Sequence, residues 1–144
     1  MATQRFNHVG VSVDRVLLQD AAWRGQVTDF FRDVFGWQEV SALAGRAETT
    51  LIFLAHSPQQ FLFLQAAETP TTCHPGDHFG LSVETIAELE DLHRKALAFR
   101  ARDAGVEIVP PKSELQGPFR LTSFYVRYRL PMMIEVQHFE QVAS

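Results

Sequence analysis

Two histidines stand in near-copies of one motif. His8 lies in Phe6-Asn-His-Val-Gly-Val-Ser-Val13 and His78 in Gly76-Asp-His-Phe-Gly-Leu-Ser-Val83, an offset of 78 − 8 = 70 in a chain of 144 residues. Both copies alternate as a strand does when one face meets a core. Val9, Val11 and Val13 point one way, as do Phe79, Leu81 and Val83, and the histidines share the other face with the glycines and serines. A third candidate is Glu135, an acid on the same non-core parity of the run Met132 to Phe139. The offset of 70 maps Gln65 onto Glu135, so the expected set is His8, Gln65, His78 and Glu135. Two neutral imidazoles and one carboxylate with positions left open suit a borderline divalent ion such as Fe, Mn, Ni, Zn or Co. Gln65 would add a neutral oxygen or hold a water. The competing reading makes the histidines polar residues lining a wet groove. Their repeat-equivalent placement beside an inward acid favours metal.

The elements that must position these residues read as a duplication. After the first strand, Asp14 to Asp20 is expected to be a connection. Trp23, Val27, Phe30, Phe31 and Val34 then follow helical spacing, with Gly36 placed to end the helix. Strands are expected over Trp37 to Leu43, Thr49 to Ala55 and Gln60 to Ala66. A Pro- and Gly-rich linker follows at Thr69 to Gly76. The second unit repeats the order. Its strand around His78 leads to a helix with a Thr85/Glu88 capping box, closed by Gly105. A short strand, Val106 to Val109, should stop at Pro110-Pro111, leaving Lys112 to Pro118 as a polar loop. Strands Phe119 to Tyr128 and Met132 to Phe139 complete it. The expected fold is α+β: two tandem βαβββ modules forming a curved mixed sheet around a cavity. Module one spans about 5–67, the linker 68–76 and module two about 77–141.

Composition narrows the function classes. Hydrophobic residues make up 46%, with 12 Phe, which is ample for a core. A net charge of −4 argues against nucleic acid as the main partner. No apolar run approaches a membrane span, no secretory leader is evident at the start, and the single Cys73 allows no internal disulfide. A cytoplasmic setting is therefore expected. On the penultimate strand Ser123, Tyr125 and Arg127 share a parity that faces away from the core. Arg127 there would suit an anionic group on a substrate. Phe53, Phe61, Phe63 and Met133 are candidates for an apolar wall around a small-molecule substrate, although such residues are more often plain packing. Glu48 is better read as a solvated strand end than as a base. His56, His74 and His93 are expected to face solvent.

The stretches Asn7-His8-Val-Gly-Val-Ser-Val13, Asp29-Phe-Phe-Arg-Asp-Val-Phe-Gly-Trp37, Asp77-His78-Phe-Gly-Leu-Ser-Val83 and Ile134-Glu135-Val136 together resemble the vicinal oxygen chelate superfamily. That group includes glyoxalases, fosfomycin-resistance transferases, extradiol dioxygenases, methylmalonyl-CoA epimerases and bleomycin-resistance proteins. The resemblance implies metal ligands at His8, His78 and Glu135, a fourth at Gln65, and a homodimer. It also implies Lewis-acid chemistry on vicinal oxygens of a substrate, of isomerase, lyase, epimerase or extradiol dioxygenase type. Gln65 cannot act as a base, which counts against a glyoxalase, and the loop before the final strand departs from the epimerase pattern. Extradiol dioxygenases usually also use an acid-base His and Tyr, for which Tyr125 and His138 are the nearest candidates, although His138 has core-facing parity. The alternative is a non-catalytic protein of bleomycin-resistance type that sequesters an aromatic or hydrophobic compound.

Overall fold

The computed structural model describes residues 3–142. The chain divides into two compact units, Met1–Thr72 and Cys73–Ser144, each with a four-stranded mixed sheet. The first contains β1 (His8–Asp14), α1 (Arg15–Gln19), α2 (Ala21–Phe30), β2 (Gln38–Glu39), β3 (Thr50–Leu54) and β4 (Phe61–Ala67). The second contains β5 (His78–Val83), α3 (Ile86–Arg102), β6 (Glu107–Gln116), β7 (Phe119–Arg127) and β8 (Met133–Gln141). Strand orders are β1-β4-β3-β2 and β5-β8-β7-β6. In each unit the histidine-bearing first strand runs parallel to the last strand, and the other pairings are antiparallel.

The apolar alternation decides which face of each sheet a helix covers. In the first unit Val11, Val13, Leu51, Phe53, Leu62 and Leu64 are buried together with Trp23, Val27, Phe30 and Phe31 from the helical segment. Phe31 stacks on Trp37 with centroids 5.2 Å apart and meets Phe53 at 4.6 Å. In the second unit Leu89, Ala96 and Phe99 of α3 are buried, as are Phe124, Val126, Ile134 and Val136 of the sheet. The capping box starts α3: Glu88 N–H donates to the Thr85 hydroxyl, and the Thr85 N–H donates to the Glu88 carboxylate. These reciprocal bonds satisfy donors that the first turn cannot use internally.

Four local expectations are corrected. Asp14 to Asp20 is not a plain connection, because the Asp14 carboxylate accepts from Val16 and Leu17 N–H and starts the one-turn α1; Asp20 repeats the role for α2 through Trp23 N–H. The helical segment widens to a π-turn over Phe31–Phe35 before Gly36 ends it at φ 70°. Trp37 to Leu43 is not one strand. The Ser41 hydroxyl accepts Ile52 N–H at 2.9 Å while Ser41 N–H donates to Glu39, so side chains take ladder bonds and a 3-10 turn, Ser41–Ala44, replaces the strand. Finally, Pro110-Pro111 does not stop β6. The strand continues to Gln116 through a register shift between Val109 and Lys112. Prolines lack the N–H a ladder needs, but β6 is an edge strand and the bulge absorbs them.

Candidate functional site

The second unit assembles the densest polar chemistry. His78 opens β5 on the exposed face, and Glu135 lies on β8 opposite Gly80, two residues further along the pair. The His78 Nε2 is 3.3 Å from Glu135 Oε2. Glu135 is only 5% exposed although it points away from the helix-covered core. On the other side of β8, Tyr125 of β7 is paired directly with Glu135. Its ring meets the His78 imidazole edge-on at 5.4 Å. Burial first, and then the influence of the Glu135 carboxylate, push the Tyr125 phenol above its ordinary value. It therefore remains a protonated donor at neutral pH.

The His78 tautomer follows from its other nitrogen. Nδ1 lies 2.9 Å from the Gly76 carbonyl, which can only accept, so Nδ1 carries the proton. A neutral His78 then turns the Nε2 lone pair toward a carboxylate. Two electron-rich atoms at that distance require positive charge between them, supplied by a proton on Nε2 or by a cation. The separation fits either case: 3.3 Å is within reach of an imidazolium–carboxylate pair, and two ligands at zinc distances in tetrahedral geometry stand about 3.3–3.4 Å apart. An imidazole whose far nitrogen donates to a backbone carbonyl is also the usual support of a metal-bound histidine. The donor set thus fits a divalent ion. Among the described residues, no three His, Cys, Asp or Glu side chains form a metal-holding group.

In the first unit, His8 stacks face to face on Phe61 at 4.8 Å, and its Nδ1 bonds the Asn7 side-chain oxygen at 2.9 Å. The side-chain amide replaces the backbone carbonyl that serves His78, and Nε2 again carries the lone pair. Gln65 is not beside it. Gln65 pairs with Ser12, whereas His8 pairs with Phe61, four residues earlier and roughly 13 Å away along the strand. The expected Gln65–Glu135 equivalence also fails. First and last strands are 61 − 8 = 53 residues apart in one unit and 133 − 78 = 55 in the other. An offset of 70 on β1 and β5 therefore becomes 72 on β4 and β8. By register Phe63 occupies the position of Glu135, and Gln65 that of Gln137.

The remaining candidates separate by environment. Phe53 is corrected from a cavity wall to a core residue: it is fully buried, pairs with core-facing Leu62 and packs on Phe31. Phe61, Phe63 and Met133 are half-buried on non-core faces. Arg127 also lies on the expected face, but its guanidinium donates to Glu107 at 2.7 Å across the strand pair, and its charge is already balanced. His56 and His74 are exposed, whereas His93 is half-buried against Phe124 at 5.2 Å, against expectation. The pairing of Tyr125 with Glu135 and the bond of the Gly76 carbonyl to His78 are not legible in the sequence. The first needs the hairpin register, and the second rests on a backbone atom that no side-chain pattern reports.

No protein-family model and no curated protein matches the chain. Solved structures do. A glyoxalase/bleomycin resistance protein from Albidiferax ferrireducens T118 is 18% identical at TM-score 0.64, covering 92% of this chain and 98% of that one. The genomically encoded fosfomycin resistance protein FosX from Listeria monocytogenes is 16% identical at TM-score 0.58, covering 95% and 94%. An integron cassette protein from the mobile metagenome of V. cholerae is 21% identical at TM-score 0.58, covering 96% and 97%. The doubled strand-helix-strand order, the parallel pairing of first and last strands and these likenesses agree: the chain has the fold of the glyoxalase/bleomycin resistance proteins, the vicinal oxygen chelate fold.

Proposed function

We propose that the protein is a divalent-metal-dependent enzyme acting on a small molecule, with His78 and Glu135 as ligands. The observation that carries this reading is the 3.3 Å approach of His78 Nε2 to Glu135 Oε2, with the His78 proton fixed on Nδ1 by the Gly76 carbonyl. When bound, the ion would supply Lewis-acid polarisation of vicinal substrate oxygens. Glu135 contributes the one negative charge of the set. The half-buried Met133, one residue along β8 from Ile134 and two from Glu135, would flank the substrate, while Arg127 stays with Glu107. Gln65 has no part in the ligand set, because it lies opposite Ser12. The reaction class is isomerase, lyase, epimerase or extradiol dioxygenase, in a homodimeric cytoplasmic protein.

Metal analysis of the purified protein tests the reading. Stoichiometric Fe, Mn, Ni, Zn or Co that is lost in His78→Ala and Glu135→Ala supports it. A protein that takes up none of these ions yet binds aromatic compounds would instead be a sequestering protein of the bleomycin-resistance type.

A further inference from the structure

We infer that the turn from His74 to Asp77 is a positioning device for the His78 imidazole, with His74 acting on it through Gly76. The inference rests on the reading above that His78 is a metal ligand. Gly76 touches both rings: its N–H donates to His74 Nδ1 at 3.1 Å, and its carbonyl accepts from His78 Nδ1 at 2.9 Å. A backbone N–H only donates and a carbonyl only accepts. The two imidazoles are therefore held in opposite roles, His74 Nδ1 as acceptor and His78 Nδ1 as donor.

The Gly76 N–H and carbonyl belong to successive peptides joined at its Cα, and the second of these is held through Asp77. Asp77 N–H donates to the His74 carbonyl at 2.9 Å, and the Asp77 carboxylate accepts His74 N–H at 2.9 Å. The Asp77 carbonyl then accepts Met133 N–H at 3.2 Å, which ties the turn to β8 two residues before Glu135. One closed turn thus aims the histidine ring and anchors the strand that presents the glutamate. His8 has no counterpart of this device, since a neighbouring side chain, Asn7, orients it. His74 and Asp77 are positioning residues here, because neither reaches the candidate ion.

Two readouts on the full chain test this. Nitrogen-15 NMR of the metal-free protein reports the His78 tautomer, and titration with Zn2+ against a competing chelator reports affinity. In wild type His78 should be the Nδ1–H tautomer. His74→Ala should give a mixture of tautomers and weaken Zn2+ binding by several-fold, less than the roughly tenfold that losing the outer-shell Gly76 carbonyl itself would cost. His74→Asn can accept the Gly76 N–H through its own side chain, as in an Asx-turn, and should restore both within about twofold. The inference is overturned if His74→Ala leaves tautomer and affinity unchanged, or if His74→Asn is as impaired as His74→Ala. A wild type with no Zn2+ affinity sinks the metal reading instead, and the tautomer measurement then decides this inference alone.

Discussion

Replacing Glu135 with Gln isolates the charge on which the proposed metal centre depends. The substitution keeps size and removes only the anion facing His78 Nε2 at 3.3 Å. Removing one partner of a fully buried charge pair costs about 3–5 kcal/mol. Glu135 is almost completely enclosed, but the His78 side chain is 40% exposed, so solvent screens part of that interaction. Discounting to about 2–3 kcal/mol gives Zn2+ binding roughly 30- to 150-fold weaker than wild type. Equilibrium dialysis with the metal alone measures this, and thermal unfolding of the metal-free proteins checks that the sheet is intact. A Glu135→Gln variant that binds Zn2+ as wild type does would refute the argument, because it would mean that no cation sits against that carboxylate.

Other expectations concern the scaffold. Phe53→Ala should cost about 3–5 kcal/mol in denaturant unfolding, because it empties a fully buried aromatic site; little loss would return Phe53 to a cavity wall. Thr85→Ala should cost about 1 kcal/mol by removing the acceptor that the Glu88 N–H uses, and a neutral result would deny the capping box its role. His93 has its pKa lowered from 6.5 by burial first and then by the charge of Arg100, so the unfolded chain takes up its proton more readily than the folded one. Its contribution to stability is present above pH 6.5 and lost as pH falls through the folded value. Unfolding free energy between pH 5 and 8 should show that slope in wild type and lack it in His93→Gln.

What could be read without coordinates was whatever rests on periodicity and short-range chemistry. The alternation of Val9, Val11 and Val13 against His8, Gly10 and Ser12 is a local property of a strand, and it assigned faces correctly in both units. The Thr85/Glu88 box and the helix end at Gly36 are equally local, since their partners lie within four residues. The doubling of the unit was legible because both copies must bury the same faces.

Tertiary structure alone decided the register. Two additional residues between first and last strands of the second unit move the equivalence from Gln65 to Phe63, and one chain-wide offset cannot express that shift. It also decided which aromatic residues are core. Phe53 and Phe63 read alike in sequence, but Phe53 pairs with Leu62 on the helix-covered face and Phe63 with Ile52 on the other. The side-chain bonds at Ser41 and the bulge at Pro110-Pro111 depend on which strand lies alongside, so propensity misjudged both. Residue types named His78 and Glu135 as chemistry, but the Gly76 carbonyl that aims His78 and the Tyr125 ring that packs beside it are brought there only by the folded chain.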